Sequence, residues 1–210
     1  YIADCHFFHE ALNREMDHRG FASVEEMNEY MIKRWNEKVR NRDEVVILGD
    51  LSMGNAEQTN ALLDRLQGKL FLIVGNHDNR YLRSKTFHKE RFGWIYPYAE
   101  LHDDGRKVVL SHYPIACYNG QYLKNKKGEP RTYMLYGHVH DSHDERLIEQ
   151  YQQMVEKTRI PDRDGGTQSL SSHMINCFCM YSDYQPLSLD EWIALTKQRL
   201  IRCQNMEDSL

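Results

Sequence analysis

The chain has 210 residues and a formal net charge of −4 at pH 7, so it suits one domain or at most two small ones. The acidic balance argues against a general electrostatic attraction to nucleic acid or to anionic membranes. No apolar run approaches the roughly 18 residues needed to cross a bilayer and no secretory signal is visible, so we predict a single cytoplasmic domain over 1–210 with a flexible tail from about residue 202.

Apolar runs and amphipathic stretches alternate through the first 74 residues. Residues 1–4 predict the end of a first strand. Ser23, with Glu26 three residues later, forms a capping box that starts a helix with one apolar face. The next predicted elements are a strand at 45–48, a helix at 56–66 and a strand at 70–74. This β-α-β-α-β order predicts parallel strands joined by right-handed crossovers.

The second half of the chain predicts a hairpin followed by two further strands. Asp104-Gly105 lies between two strand-like runs and is a strong hairpin signal. The strands are predicted at 98–103, 107–110, 132–136 and 173–181. We predict helices at 144–157 and 188–201, a short helix and loop at 81–92, and a loop at 158–172.

Polar residues able to bind metal or carry protons follow the strand at 70–74. Gly75 lets the backbone turn sharply, and Asn76, His77 and Asp78 then arrive in a row. A four-residue pattern is weak by itself, and a polar turn is the alternative. However, other strand ends finish in the same way, and open α/β sheets place ligands at the carboxyl ends of strands. These other motifs are Asp4-x-His6, Gly49-Asp50, His112 and Gly137-His138-x-His140.

The side chains at these strand ends form a mixed set of nitrogen and oxygen ligands. This set suits Mn, Fe, Zn, Co or Ni and argues against a structural zinc site of the cysteine type. We interpret the five scattered cysteines as reduced thiols. Seven ligands with one shared carboxylate exceed the needs of one tetrahedral ion and fit two ions about 3.5–4 Å apart.

The order of the motifs, D-x-H, G-D, G-N-H-D, H and G-H-x-H, resembles that of the calcineurin-like metallophosphoesterases. This family includes purple acid phosphatases, bacterial cyclic-nucleotide phosphodiesterases and double-strand-break repair nucleases. The resemblance implies an α/β fold built as a β-sandwich of mixed sheets flanked by helices, in α/β/β/α layers. It also implies a two-metal site at one edge of that sandwich.

A narrower resemblance links the chain to small single-domain phosphoesterases of bacteria and phages. It rests on residues 4–9, 19–21 and 184–188 and on the helix that carries Trp35-Asn36. Two residues depart from the expected pattern, and neither departure removes a ligand. They are Cys5, where Leu or Thr is common, and Phe8, where we expect Gly.

The family resemblance implies a role for each motif residue. Seven residues are implied to hold two ions, in two groups that share one bridging carboxylate: Asp4, His6 and His140; Asn76, His112 and His138; and the shared Asp50. His77 is expected to contact the phosphate, either stabilising its charge or protonating the leaving oxygen, and Asp78 is expected to orient His77. His9 and Arg19 are weaker candidates for binding the substrate phosphate, and the alternative for both is a solvated loop residue.

The implied activity is hydrolysis of a phosphate mono- or diester, with nucleotides and cyclic nucleotides among the substrates considered. A hydroxide that bridges two divalent or trivalent ions, Mn, Fe or Zn, is expected to attack phosphorus in line. We expect a small phosphoester as the partner, with no membrane, and the acidic balance counts against nucleic acid. The alternative is a catalytically silent binding or scaffold protein on the same fold. Such proteins lose metal ligands or the histidine that follows the asparagine, and this chain has them all.

Overall fold

The computed structural model describes residues 1–162 and 164–207, with the side chains of the last helix described as far as residue 201. Within these ranges, the α-helices are α1 (Val24–Lys38), α2 (Ala56–Arg65), α3 (Asn79–Leu82), α4 (His143–Lys157) and α5 (Leu189–Glu207). None of these helices is long and apolar enough to cross a membrane. As predicted, the Ser23 side chain caps α1 by accepting a hydrogen bond from the backbone N–H of Glu26.

Two sheets with different strand directions form the centre of the structure. The strands are β1 (Glu44–Ile47), β2 (Lys69–Ile73), β3 (Phe92–Tyr96), β4 (Tyr98–Asp103), β5 (Arg106–Ser111), β6 (Thr132–Tyr136), β7 (Arg159–Pro161), β8 (Thr167–Ser169) and β9 (Met174–Asn176). The first sheet has the order β1-β2-β3, and all its pairs are parallel. The second has the order β4-β5-β6-β9, with an antiparallel β4–β5 hairpin and parallel pairs elsewhere. β7 and β8 form a separate antiparallel pair.

Alternate residues of each central strand face opposite layers of apolar side chains. In β5, Val108 and Leu110 pack in the cluster shared with the first sheet, whereas Val109 faces the cluster that contains Ile148 of α4. On the other side, β1 and β2 pack against α1 and α2. These layers have the predicted α/β/β/α arrangement. Burial on both faces explains why the strands are continuous apolar runs in the sequence.

Residues 2 and 3 join the two sheets. Ile2 pairs in parallel with Ile47 at the end of β1, and Ala3 pairs in parallel with Phe178, just after β9. The predicted first strand is therefore present only as two isolated bridges, one to each sheet. Because both bridges precede Asp4 directly, that residue lies where the two sheets meet.

The strand β3 (Phe92–Tyr96) is absent from the sequence-based prediction, which places a short helix and loop at 81–92 and the next strand at 98–103. Its residues include Gly93 and lead directly to Pro97, and both residue types are typical of loops. The structure gives a reason for the glycine, since a Cβ there would lie 2.3 Å from Cε1 of Phe71 on β2. Close packing between neighbouring strands therefore requires the residue that makes the strand hard to recognise.

Other element boundaries differ from the sequence-based prediction near the C-terminus. The predicted loop at 158–172 contains the β7–β8 pair, and β9 is shorter than predicted because the chain turns into a 3-10 helix at Cys179–Ser182. The backbone of α5 remains helical through Glu207, beyond the predicted end near residue 201. Residues 208–210 of the predicted tail lie outside the described residues.

The layer between the sheets makes a testable contribution to stability. Leu135 of β6 is fully buried there, so Leu135→Ala should lower the free energy of unfolding by about 2–5 kcal/mol through lost burial and a cavity. Leu123→Ala is the matched control, because this side chain is 54% exposed and should change stability by no more than about 0.5 kcal/mol. Urea titrations measure this difference. An equal decrease in the free energy of unfolding of both variants would contradict the burial described for Leu135.

Candidate metal centre

Seven polar side chains converge at the carboxyl ends of the strands of both sheets. Two follow the bridging residues 2 and 3, one follows β1, one follows β2, one follows β5 and two follow β6. In chain order these residues are Asp4, His6, Asp50, Asn76, His112, His138 and His140. The structure therefore brings together all seven residues that the sequence singles out as metal ligands.

Three of the seven form a first group. The Nε2 atoms of His6 and His140 are 3.2 Å apart, and Nε2 of His140 is 3.7 Å from Oδ1 of Asp4. One ligand atom from each residue lies within 4.8 Å of the others. Ligands held about 2.0–2.2 Å from one ion must lie roughly 3–4 Å from one another, so this group fits a single cation.

A second group forms around the amide oxygen of Asn76. This oxygen lies 3.0 Å from Nε2 of His112 and 3.0 Å from Nδ1 of His138. The other ring nitrogen of His112, Nδ1, lies 2.8 Å from the carbonyl oxygen of Leu48. In the neutral ring, that hydrogen bond places the proton on Nδ1 and makes Nε2 of His112 the nitrogen that can bind a cation.

Asp50 lies between the two groups. Its Oδ2 atom is 3.6 Å from Nε2 of His6 and 3.5 Å from Nε2 of His112, so one oxygen faces both groups. Its Oδ1 atom accepts a hydrogen bond of 2.8 Å from the backbone N–H of His77. The carboxylate is therefore fixed from one side and shared on the other, which is the geometry required of a bridging ligand.

Several of these residues have left-handed backbone conformations, which are uncommon outside glycine and cost about 1–3 kcal/mol each. Their φ angles are +55° for Asp4, +49° for His6, +54° for Asp50, +71° for His138 and +50° for His140. Such conformations persist only where the surrounding structure fixes them. The hydrogen bonds between the loops at the sheet edge do this, because the amides of Asp4 and His6 bond to the carbonyls of Gly49 and Asp50.

Two glycines leave room for the buried carboxylates. A Cβ at Gly75 would lie 2.2 Å from Oδ1 of Asp50, and one at Gly137 would lie 2.5 Å from Oδ2 of Asp4. The sequence predicts Gly75 as a sharp turn, but its backbone φ is not in the left-handed region. Glycine is therefore needed at position 75 because the Asp50 carboxylate lies too close for a Cβ atom.

The site concentrates negative charge where solvent is excluded. Burial would raise the pKa of Asp50, but its hydrogen bond with His112 and the nearby His6 outweigh burial and lower this pKa to about 2. Burial raises the pKa of Asp4 to about 6, against the opposing effect of His140 and His112. Burial would lower the pKa of His112, but Asp50 and Asp4 raise it to about 9. The carboxylates thus retain a proton on His112, and a bound cation can supply that positive charge instead.

His77 and His9 lie on the open side of the first group. The His77 side chain is exposed, and its Nε2 atom is 4.0 Å from Oδ2 of Asp50. The His9 ring centroid lies 5.7 Å from that of His6, and Nδ1 of His9 accepts a hydrogen bond of 3.3 Å from the amide of Leu12. Both rings are therefore beside the centre without being part of either ligand group.

Asp78 differs from the expectation that it orients His77. Its buried carboxylate accepts hydrogen bonds from the amides of Asp50, Leu51 and Gly75 at 2.9, 3.0 and 2.8 Å, and from the hydroxyl of Tyr81 at 2.7 Å. The chain enters α3 directly after Asp78, so this side chain turns beneath the loops while His77 stays on the open side. Asp78 therefore fastens the loop after β1 to the loop after β2.

Arg19 differs from the expectation that it contacts a substrate phosphate. Its guanidinium is buried and donates to the backbone carbonyls of Cys5 and Asp4 at 2.6 and 3.0 Å. It also donates to the carboxylate of Asp17 at 2.9 and 3.1 Å. Because its donors point into the protein, Arg19 supports the Asp4–His6 segment from behind.

The structure also identifies neighbours of the centre that the sequence-based interpretation misses. Asp17 lies 2.8 Å from Nδ1 of His140, and the exposed Tyr113 ring lies 4.5 Å from the ring of His138. Asp17 belongs to no strand-end motif, so the pattern used for the ligands does not select it. Tyr113 directly follows a motif residue, and adjacency is the only signal that points to it.

The comparisons with known proteins agree with this geometry. The structure is an α/β sandwich with a cluster of nitrogen and oxygen side chains that could hold metal ions. The model of the calcineurin-like phosphoesterase family matches residues 1–192, and the chain belongs to that family, whose members use divalent metal ions. The family resemblance of the motifs is thereby confirmed.

The chain is similar to an archaeal protein, a phage protein and one solved structure. It is 31% identical over 207 residues to the uncharacterized protein MJ1445 of Methanocaldococcus jannaschii, covering 97% of this chain and 94% of that protein. It is 28% identical over 166 residues to the Gene 66 protein of Mycobacterium phage L5, covering 67% of this chain and 76% of that protein. The crystal structure of the protein of unknown function AQ665 from Aquifex aeolicus has a TM-score of 0.62 and 23% identity. The match covers 92% of this chain and 96% of the Aquifex aeolicus chain, and it shows that the two proteins share a fold.

The fastening role of Asp78 predicts a loss of stability on substitution. Asp78→Asn places an amide N–H₂ among backbone N–H donors, so the free energy of unfolding should fall by about 1–3 kcal/mol. Asp64→Asn, at an exposed carboxylate on α2, should change it by no more than about 0.5 kcal/mol. Denaturant unfolding of both variants checks this expectation. An Asp78→Asn protein as stable as the parent would contradict the role described for Asp78.

Proposed function

We propose that this protein hydrolyses phosphate esters with the help of two divalent metal ions. The observation that carries the proposal is the position of Asp50, whose Oδ2 atom lies 3.6 Å from His6 and 3.5 Å from His112. A single oxygen that faces two ligand groups suits two neighbouring ions better than one. Membership of the calcineurin-like phosphoesterase family supports the same activity.

The donors present fit a pair of ions in both chemistry and spacing. The proposed ligands are Asp4, His6 and His140 for one ion, Asn76, His112 and His138 for the other, and Asp50 for both. Nitrogen and carboxylate ligands of this kind favour Mn, Fe or Zn. When bound, such ions polarise phosphate oxygens and lower the pKa of bound water.

The protein's own residues then position the phosphate and move the proton. His77 is held at the centre by its backbone hydrogen bond to Asp50, while its ring remains on the open side. In this position the imidazole can donate a hydrogen bond to a phosphate oxygen or a proton to the leaving oxygen, the role that histidine most often fills in proton transfer. His9, on the same side, can contact the remaining phosphate oxygens.

The open side of the centre is compatible with both mono- and diesters. Asn76, His77 and His138 are exposed, so a phosphate carrying one or two substituents can reach both ligand groups without displacing a buried side chain. We propose a small phosphoester, with nucleotides and cyclic nucleotides as the first compounds to examine.

Removal and restoration of metal tests the proposed chemistry. Protein treated with a chelator and dialysed should hydrolyse neither p-nitrophenyl phosphate nor bis-p-nitrophenyl phosphate. Addition of Mn²⁺ should restore turnover of at least one ester, because the ions supply the charge stabilisation. Absorbance of released nitrophenolate gives the rate. A protein that binds two Mn²⁺ yet hydrolyses neither these esters nor a panel of nucleotides would contradict the proposal.

Asp50→Ala tests the bridging role. This variant should lose both ions, because the shared ligand and the charge that holds the pair are removed together. Elemental analysis of purified, Mn²⁺-reconstituted protein measures the stoichiometry. Asp103→Ala serves as the control at a carboxylate remote from the centre, paired with the hydroxyl of Tyr1. Two ions retained by Asp50→Ala would refute bridging by Asp50.

His77→Ala separates proton transfer from metal binding. We expect kcat to fall by about 10²- to 10⁴-fold, the usual contribution of a positioned acid or base. The Mn²⁺ content should remain at the parent value, since the His77 ring belongs to neither ligand group. Steady-state kinetics and elemental analysis on the same preparation check both parts. A variant with unchanged kcat would remove His77 from the mechanism.

A further inference from the structure

Asp17 and His140 form a contact behind the first ligand group. Oδ1 of Asp17 lies 2.8 Å from Nδ1 of His140, while Nε2 of the same ring faces His6 and Asp4. A carboxylate in this position accepts a hydrogen bond from Nδ1–H, so the lone pair of the neutral ring is on Nε2. It also fixes the rotation of the ring about its side-chain bonds. Asp17 therefore determines which nitrogen His140 presents to the centre, and at what angle.

Asp17 is itself held by Arg19. The Nε and terminal nitrogen atoms of Arg19 donate to Oδ2 of Asp17 at 3.1 and 2.9 Å, leaving Oδ1 for His140. Both side chains are almost completely buried. Two donors of one planar guanidinium thus converge on a single carboxylate oxygen, and these charge-assisted hydrogen bonds fix the position of Oδ2.

The same guanidinium holds the segment that carries the other ligands of the group. It donates to the carbonyls of Asp4 and Cys5, and the Cys179 thiol donates to the Asp4 carbonyl at 3.2 Å. One buried arginine thus connects the backbone beside Asp4 and His6 with the carboxylate that orients His140. We call Asp17 and Arg19 the clamp.

The second ligand group is supported differently. Nδ1 of His112 bonds to the neutral carbonyl oxygen of Leu48, and Nδ1 of His138 faces Asn76 within the group itself. Among the described hydrogen bonds, a side-chain carboxylate outside the seven ligands orients a ligand imidazole only at His140. The two subsites therefore differ in the charge behind their histidines.

From this difference we infer that the clamp is a positioning device that sets the metal affinity of one subsite, formed by Asp4, His6 and His140, independently of the other. The inference rests on the two-ion site of the proposed function. A carboxylate hydrogen-bonded to a ligand imidazole raises its basicity, and loss of such a partner weakens metal affinity by about 10–100-fold. The clamp should therefore act on one of the two ions.

Calorimetric titration of metal-free protein with Mn²⁺ tests the inference. The parent should bind two ions. Asp17→Asn should bind one ion with the parent affinity and the other about 10–100-fold more weakly. Asp17→Glu, which keeps the charge, should recover part of this loss. Asp141→Asn is the matched control, because it is the same substitution next to His140 at an exposed carboxylate that contacts Arg146 and Tyr181. This control should retain both affinities.

A measurement on the parent protein gives a second test that does not depend on the folding of a variant. In protein loaded with Zn²⁺, the ¹⁵N–¹H spectrum should show the ring proton of His140 on Nδ1, protected from exchange by Asp17. A proton on Nε2 would overturn the inference.

The calorimetric outcomes separate the clamp from the two-ion site. If Asp17→Asn bound both ions with the affinities of the parent, the inference would be overturned. An equal loss of metal affinity at both subsites would also overturn it, because general destabilisation of the protein produces that result. A parent that binds fewer than two Mn²⁺ would overturn the two-ion site together with the inference. Two-ion binding by the parent without turnover of any phosphoester would refute only the proposed activity.

Discussion

Two short backbone bridges, at Ile2 and Ala3, connect the two sheets next to the candidate metal centre. The amide of Ile2 bonds to the first sheet at Val46, and the amide of Ala3 bonds to Cys177 beside the second. The next residue, Asp4, is thereby placed where loops from both sheets meet. Its two carboxylate oxygens accept hydrogen bonds from the backbone N–H of His138 at 2.9 and 3.0 Å. Ligands that are distant in the chain become neighbours because one segment pairs with both sheets.

Electrostatics explains why such a junction is suited to cations. Asp4 and Asp50 are buried beside several imidazoles, and hydrogen-bonded loops hold both carboxylates in place. Burying charge without compensation is costly, and bound protons or cations would reduce this cost. The left-handed residues and the close glycines belong to the same arrangement. The surrounding fold stabilises local conformations that each residue would avoid alone, which is typical of functional sites.

The clustering of the candidate ligands is predictable from the sequence, whereas the contacts of the residues that support them are not. The candidate ligands follow apolar strands, and the carboxyl ends of strands meet at one edge, so the sequence pattern predicts that they lie together. The assignment of His112 and Asn76 to one group comes from the family resemblance. The residues that support the candidate ligands do not lie at strand ends in this regular way. Asp17 and Arg19 lie in a loop whose path only the fold determines, and Arg19 faces inward because the Asp4 and Cys5 carbonyls need donors. Asp78 adjoins His77 in sequence, yet its side chain turns the opposite way. The strand β3 is missed because close packing requires a glycine that otherwise indicates a loop.

Anomalous X-ray diffraction from crystals of the Mn²⁺-loaded protein can locate the ions relative to Asp50. If two ions share this carboxylate at the junction of the sheets, the maps should show two anomalous peaks about 3.5–4 Å apart, each within coordination distance of an Asp50 oxygen. A single peak, or two peaks that both lie beyond coordination distance of Asp50, would contradict the sharing of this carboxylate by two ions.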